Sequence, residues 1–319
     1  MRPFWPWQGS TQNFTISNKA EGIMFVSGFT FIRQAIAFDY PIAEAIESIL
    51  PLCDEVIVAV GKGTDGTREL VASINSPKVK IVDTVWDETL REGGRVLAAE
   101  TDKAYAAISP RADWAVYIQG DEVMHENDHQ EVRQAMQRHL HDEEVDGFLF
   151  SYRHFYGSYD FVGASDRWYG HEVRVIRAEP SIRSFRDAQG FRIRANELLH
   201  VVELDAHIHH YGWVKPPKVM QEKQIQFNKL WHDDQWVESH VVGPDAFVYQ
   251  DHIRSLYRFE GSHPQVIQPR VAAMNWHFTF DPSLNTWTLK ERLKAQLKRI
   301  GINPNYANYK RLQRPSPLP

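Results

Sequence analysis

At 319 residues, 43% of them hydrophobic, the chain is long enough for one large or two ordinary domains and apolar enough for a sizeable core. Its formal net charge of −5 argues against a general nucleic-acid surface, which needs an excess of Lys and Arg. A single cysteine, Cys53, excludes an intrachain disulfide and a cysteine-rich zinc module.

Residues 1–20 read as an N-terminal arm. MRPFWPWQGSTQNF holds one basic residue and no apolar h-region, so it does not resemble a secretory leader. IMFVSGF (23–29) predicts a buried strand, and YPIAEAIESIL (40–50) a helix whose proline suits a first turn. DEVIVAV (54–60) is a β-branched run, hence a second buried strand, and Cys53 beside it reads as a buried thiol. GKGTDGT (61–67) is a loop leading into a helix over 67–74, and VKIVDTV (79–85) is a third strand. A helix follows over 94–108, a fourth strand, WAVYI, over 114–118, and another helix over 129–140. Strands alternating with helices at this spacing predict an α/β fold: an open, mostly parallel sheet with helices on both faces.

From about residue 146 the pattern changes. Segments 146–157, 171–177 and 200–213 read as strands without intervening helices, which predicts a mixed, partly antiparallel sheet extension. A helix is expected over 216–232, after two prolines, and the remainder is charged and aromatic with short helices. The final RPSPLP has the composition of a disordered tail. The expected organisation is an arm (1–20), a sheet domain (21–215) and a C-terminal helical extension (216–319). No apolar run approaches the roughly 18 residues of a membrane span, so a cytoplasmic protein is expected.

The glycine loops do not carry the familiar nucleotide signatures. GKGTDGT lacks the GxxxxGK[ST] spacing, and SGFTFI after the first strand has one glycine where a dinucleotide fingerprint needs three. The loop at 61–67 reads as a strand-to-helix turn with Asp65 or Thr67 as cap. It nonetheless lies at the carboxyl end of a strand, where open α/β sheets bind ligands. The same edge receives Asp121 and Glu122, directly after the fourth strand. Gly-Asp is ordinary turn chemistry. The alternative is a divalent-metal site, since Mg2+ or Mn2+ takes one or two carboxylates and completes its shell with waters and substrate phosphates.

CDEVIVAVGKGTDGTREL followed by ADWAVYIQGDEV, in this order of elements, resembles the nucleotide-diphospho-sugar-binding core of family-two-like inverting glycosyltransferases, which have the GT-A fold. The resemblance covers residues 22–125 well and 146–213 more loosely. It implies transfer of a sugar from a nucleotide-diphosphate donor to a glycan, lipid-linked or protein acceptor. It also implies Mg2+ or Mn2+ held by Asp121, with Glu122 as its acidic neighbour. Two positions depart from the family's pattern. Val60 stands where an aspartate usually contacts the nucleoside, leaving Asp83 or Asp87 to compensate, and Gln119 stands where the acidic motif usually begins. Gln119 can still offer an amide oxygen or donate to a phosphate.

Arg91 and Arg95, in the loop and helix before the acidic motif, can grip a diphosphate bidentately or lie on a solvated helix face. The late histidine of the family matches His210 in HIHHYGW, as a metal or diphosphate ligand, and neighbouring Lys215 is a further phosphate candidate. His207 and His209 share the other face of that strand, and a zinc cluster with His200 is the competing reading. An inverting transfer needs a general base, and the resemblance places an acidic residue for it in SIRSFRDAQGFRI. Asp187 is the first candidate there, with an ion pair to Arg183 or Arg186 as the alternative, and Glu203 and Asp205 follow. Trp168, Tyr156 and Tyr159 are candidates for an acceptor-sugar platform. Two rival functions stay open: a non-catalytic nucleotide-sugar-binding or scaffold protein, motivated by Val60 and Gln119, and a nucleotidyltransferase, for which only Arg33 follows the first strand. The C-terminal aromatic helices leave a homo-oligomer or a peripheral membrane contact open.

Overall fold

The computed structural model describes residues 23–90, 92–165, 168–243, 245–299 and 307–313. The expected arm at 1–20 and the RPSPLP tail lie outside the described residues.

The first half is a parallel sheet in the order β3–β2–β1–β4, formed by β1 (Val26–Ile32), β2 (Glu55–Gly61), β3 (Val79–Thr84) and β4 (Trp114–Tyr117). Its connections carry α1 (Ile42–Ile49), α2 (Thr67–Ala72) and α3 (Arg95–Ala106). The β-branched run of β2 is buried along its whole length because both faces are covered. Val56, Val58 and Val60 join the core under α1, with Ile42, Ala45, Ile46 and Ile49 at helical spacing. Ile57 and Ala59 point the other way, into the core under α3, with Phe29, Tyr117, Ala104 and Tyr105. Cys53 is buried beside this sheet, and burial pushes its thiol far above the range of a nucleophile.

The second half is mixed, as expected. After β5 (Glu122–Met124) and α4 (His129–Arg138) come β6 (Gly147–Tyr156), β7 (Phe161–Gly163) and β8 (His171–Arg177). β8 runs antiparallel between β4 and β6. The segment over 183–198 forms a small separate sheet, β9 (Arg183–Phe185), β10 (Gly190–Ile193) and β11 (Glu197–Leu198). The 14-residue β12 (His200–Trp213) lies parallel to β6 and antiparallel to β5, with register shifts at Glu203/His207 and His210/Trp213.

Beyond residue 215 come α5 (Pro217–Asn228), α6 (Asp234–His240), β13 (Leu256–Arg258), α7 (Gln268–Ala272), α8 (Leu289–Arg299) and β14 (Lys310–Arg311). Two of these elements extend the sheet. β13 pairs with β7 and β14 with β12. The backbone N–H of Gly94 donates to Leu230, and the Trp276 indole donates to the carbonyl of Gly157. Among the described residues no helix is long and apolar enough to cross a membrane.

Candidate functional site

The carboxyl ends of β1 and β4 open into a cleft of about 930 Å³, within the range of small-molecule sites. Phe31, Arg33 and Gln34 line it where β1 ends, residues 86–90 where β3 ends, and Gln119, Gly120 and Asp121 where β4 ends. Glu172 and Arg174 of β8, His210 and Trp213 of β12, and Lys223, Gln224 and Phe227 of α5 complete the walls.

The two adjacent carboxylates go to opposite environments. The turn after β4 is closed by the Glu122 N–H donating to the Gln119 carbonyl and by the Gln119 N–H donating to Glu122 Oε2. Glu122 is thereby turned into the core. There it accepts Arg174 Nε at 2.8 Å, Arg174 Nη2 at 2.7 Å and the Tyr152 hydroxyl at 2.8 Å. Four donors on two oxygens fill the capacity of a carboxylate. The expectation that Glu122 helps ligate a metal is therefore corrected: Arg174, itself packed between the rings of Tyr117 and Tyr152, holds it as a structural ion pair.

Asp121 takes the outward position. Its Oδ2 lies 3.6 Å from His210 Nε2 and 3.6 Å from Lys223 Nζ. Burial opposes its charge, but His210, Lys223 and Lys215 overcome this and hold the carboxyl well below the usual carboxylate range. Gly212 makes the arrangement possible: a Cβ at that position would sit 2.5 Å from Asp121 Oδ2 and 2.7 Å from the His210 ring.

The hydrogen-bond chain behind His210 fixes its tautomer. His154 Nε2 meets the Tyr169 carbonyl at 2.8 Å and must donate to it. Burial first, and His210 second, draw the His154 pKa down to about 3, so the ring is neutral and its Nδ1 accepts. The partner of that Nδ1 is His210 Nδ1, at 3.1 Å, which therefore carries the proton. His210 thus turns Nε2 toward Asp121. Among the described residues no three His, Cys, Asp or Glu side chains gather into a closed metal cage. An open site of one carboxylate and one imidazole nitrogen, completed by substrate phosphates and water, would suit Mn2+, and Mg2+ through the carboxylate alone, with the Lys223 ammonium beside the same oxygen.

The other expected residues divide. Asp187 lines the cleft, and burial raises its carboxyl against the pull of Arg186 and the N–H of Gln189. Gln119 lines it too, with its amide Nε2 donating to the Ala188 carbonyl at 3.2 Å rather than standing open to a phosphate. Lys215 does not reach the cleft: it is fully buried, donates to the Asp39 carbonyl at 2.7 Å and lies over the Tyr40 ring. Arg95 is exposed on the first turn of α3, outside the cleft lining, and Arg91 lies outside the described residues. Val60 is buried opposite Asp83, whose carboxylate is taken by Arg68 at 2.6 and 3.0 Å, so Asp83 does not replace the missing acid. Glu203 is engaged by His171 and Arg311. Of the proposed platform only Trp168 faces the cleft, since the Tyr156 and Tyr159 rings are buried in separate cores.

Lys223, rather than Lys215, lines the cleft beside Asp121. It donates to the Gly212 carbonyl at 2.7 Å and packs on Tyr40, and burial lowers its pKa while Asp121 raises it. Helical spacing was its one signal: Met220, Lys223, Gln224 and Phe227 share a face of α5. Glu172 and Trp86 were also missed. Burial outweighs Arg174 to push the Glu172 carboxyl up to about 8. Trp86 packs under the Arg33 guanidinium at the end of β3.

No family model and no curated protein matches this chain. Solved structures similar to it include S. aureus TarS, at 13% identity over 70% of this chain and 41% of that one, with a TM-score of 0.38. Glucosyl-3-phosphoglycerate synthase from Mycobacterium tuberculosis, in complex with Mn2+, uridine-diphosphate and phosphoglyceric acid, is 21% identical over 42% of this chain and 43% of that one, with a TM-score of 0.27. 4-Diphosphocytidyl-2C-methyl-D-erythritolsynthase from Anaerococcus prevotii is 11% identical over 49% and 72%, with a TM-score of 0.30. The chain spans about two fifths of the first two. At these values the likeness assigns no residue a role.

Proposed function

We propose that this cleft binds a nucleotide-diphosphate sugar and transfers the sugar, with inversion, to a hydroxyl of a glycan, lipid-linked or protein acceptor. The observation that carries the reading is the convergence of Asp121, His210 and Lys223 at the carboxyl edge of a parallel sheet, in a cleft of the size of a nucleotide sugar. Asp121 and His210 would hold Mg2+ or Mn2+, which supplies positive charge to a departing diphosphate. Lys223 adds a resident ammonium beside them. Phe31, Arg33 and Trp86, which pack against one another in the cleft lining, would offer a face to the nucleobase.

Asp187 is the base in this scheme. Its carboxylate takes the proton of the acceptor hydroxyl as that oxygen bonds to the anomeric carbon, and the bond from that carbon to the diphosphate oxygen breaks with its electron pair leaving on the diphosphate. Burial of Asp187 favours the proton's arrival. Trp168 and Trp213, also in the cleft lining, give an acceptor sugar apolar faces.

The test is a panel of nucleotide-diphosphate sugars with Mn2+ or Mg2+, reading nucleoside-diphosphate release and, by NMR, the anomeric configuration of the product. Release that requires Asp121 and a product of inverted configuration support the reading; a retained configuration contradicts it. A binding-only protein is the second reading, favoured by Val60 buried at the nucleoside position. It predicts a bound nucleotide sugar that stays intact.

A further inference from the structure

Gln119, where the family pattern has an aspartate, touches a different part of the site. Asp187 sits in the turn between β9 and β10, flanked by two non-glycine residues in the left-handed region, Arg186 at φ 56° and Ala188 at φ 64°. Each such residue is costly, and a pair of them persists only where the surroundings hold the backbone in place. On one side Asp187 packs against Gly94, so closely that a Cβ there would lie 2.8 Å from that of Asp187. On the other is the Gln119 amide, whose Nε2 donates to the Ala188 carbonyl at 3.2 Å and lies 3.4 Å from the Tyr117 hydroxyl. Gln119 is itself pinned, its N–H donating to Glu122 Oε2 at 3.1 Å, and Glu122 is locked by Arg174. A continuous chain of polar contacts therefore runs from the buried ion pair, through Gln119, to the strained turn that carries Asp187.

We propose that Gln119 is a positioning residue that latches the Asp187 turn to the acidic motif, so that the cation-binding side of the cleft and its base are held in one geometry. The proposal rests on the reading of Asp187 as the base. It also gives a reason for the departure from the family pattern: a carboxylate at 119 has no donor for the Ala188 carbonyl and would repel it.

The test uses Gln119→Glu, which keeps the length but loses the amide donor, and Gln119→Met, which loses it without adding charge. Hydrogen exchange of the amides at 186–190 should speed up about fivefold or more in both, while β4 and β12 exchange as before. In the transferase assay kcat should fall by up to ~100-fold with donor KM little changed, as for a misplaced catalytic group. The acid limb of the kcat profile should move to lower pH as Asp187 becomes hydrated. Unchanged exchange at 186–190 in a folded variant overturns the latch, whatever the enzyme does. Faster exchange with unchanged transfer and pH profile overturns Asp187 as the base, and with it this proposal. If Gln119→Glu does not fold, Gln119→Met decides by the same two measurements.

Discussion

Arg174 grips both carboxylate oxygens of Glu122, at 2.7 and 2.8 Å, and does so with both side chains essentially out of solvent. This ion pair explains why a buried strand ends in two adjacent acids: one anchors the turn in the core so that the other faces the cleft.

Removing one partner of a buried pair strands the other charge, at a cost of about 3–5 kcal/mol. Arg174→Met is therefore expected to lower unfolding free energy by that amount in urea titrations. Replacing both with apolar residues, as in the Glu122→Leu/Arg174→Met double variant, should recover part of the loss. A single variant as stable as the wild type would mean that Glu122 is not held as described.

Glu172 gives the protein a pH dependence of definite sign. Its folded pKa of about 8 lies above the ordinary glutamate value, because burial disfavours its charge more than Arg174 favours it. The folded state therefore binds a proton that the unfolded chain has already released, and stability falls as pH rises from about 4.5 to about 8. The full cost is roughly 3–5 kcal/mol, at about 1.4 kcal/mol per tenfold. Glu172→Gln keeps the shape of the protonated acid and should remove this slope. Urea melts at pH 5.5 and 8.5 check it: the variant should gain on the wild type at the higher pH, and parallel behaviour would refute the assignment.

His154 should govern cation affinity without touching the cation. It stacks between Tyr152 and Trp168 and accepts the Nδ1 proton of His210. His154→Phe preserves the stack but frees the His210 tautomer. Loss of such an outer partner typically weakens metal binding ~10–100-fold. Mn2+ titrated in the presence of a nucleoside diphosphate and followed by electron paramagnetic resonance should show this weakening, with thermal unfolding little altered. Unchanged Mn2+ affinity would argue against His210 as a ligand.

Much of the α/β framework was legible in the sequence because period and composition are local. The β-branched run of β2 and the i, i+3, i+4 spacing of α1 each announce an element that the structure contains. The small sheet over 183–198 was not legible, since its turns depend on left-handed residues such as Arg186 and Ala188 that carry no glycine signal. At the site, Asp121 could be put at the cleft edge from the end of β4, whereas His210 was singled out only by the family resemblance. The fates of Glu122 and Lys215 could not be read from the sequence. Both were decided by partners far along the chain, Arg174 in the first case and the carbonyl of Asp39 in the second. Lys223 was hidden for the complementary reason: only the docking of α5 over the cleft brings its ammonium near Asp121.

The central claim is that the Asp121 side chain, with a divalent cation, holds the diphosphate of a nucleotide donor. Calorimetric titration of a set of nucleoside diphosphates, with Mn2+ and with EDTA, into wild type and Asp121→Asn tests it most directly. The expected result is binding of one nucleoside diphosphate by wild type with Mn2+, weakened at least ~100-fold by the substitution and by EDTA. Equal affinity in all four conditions, or no binding of any nucleoside diphosphate by a folded wild-type protein, would contradict it.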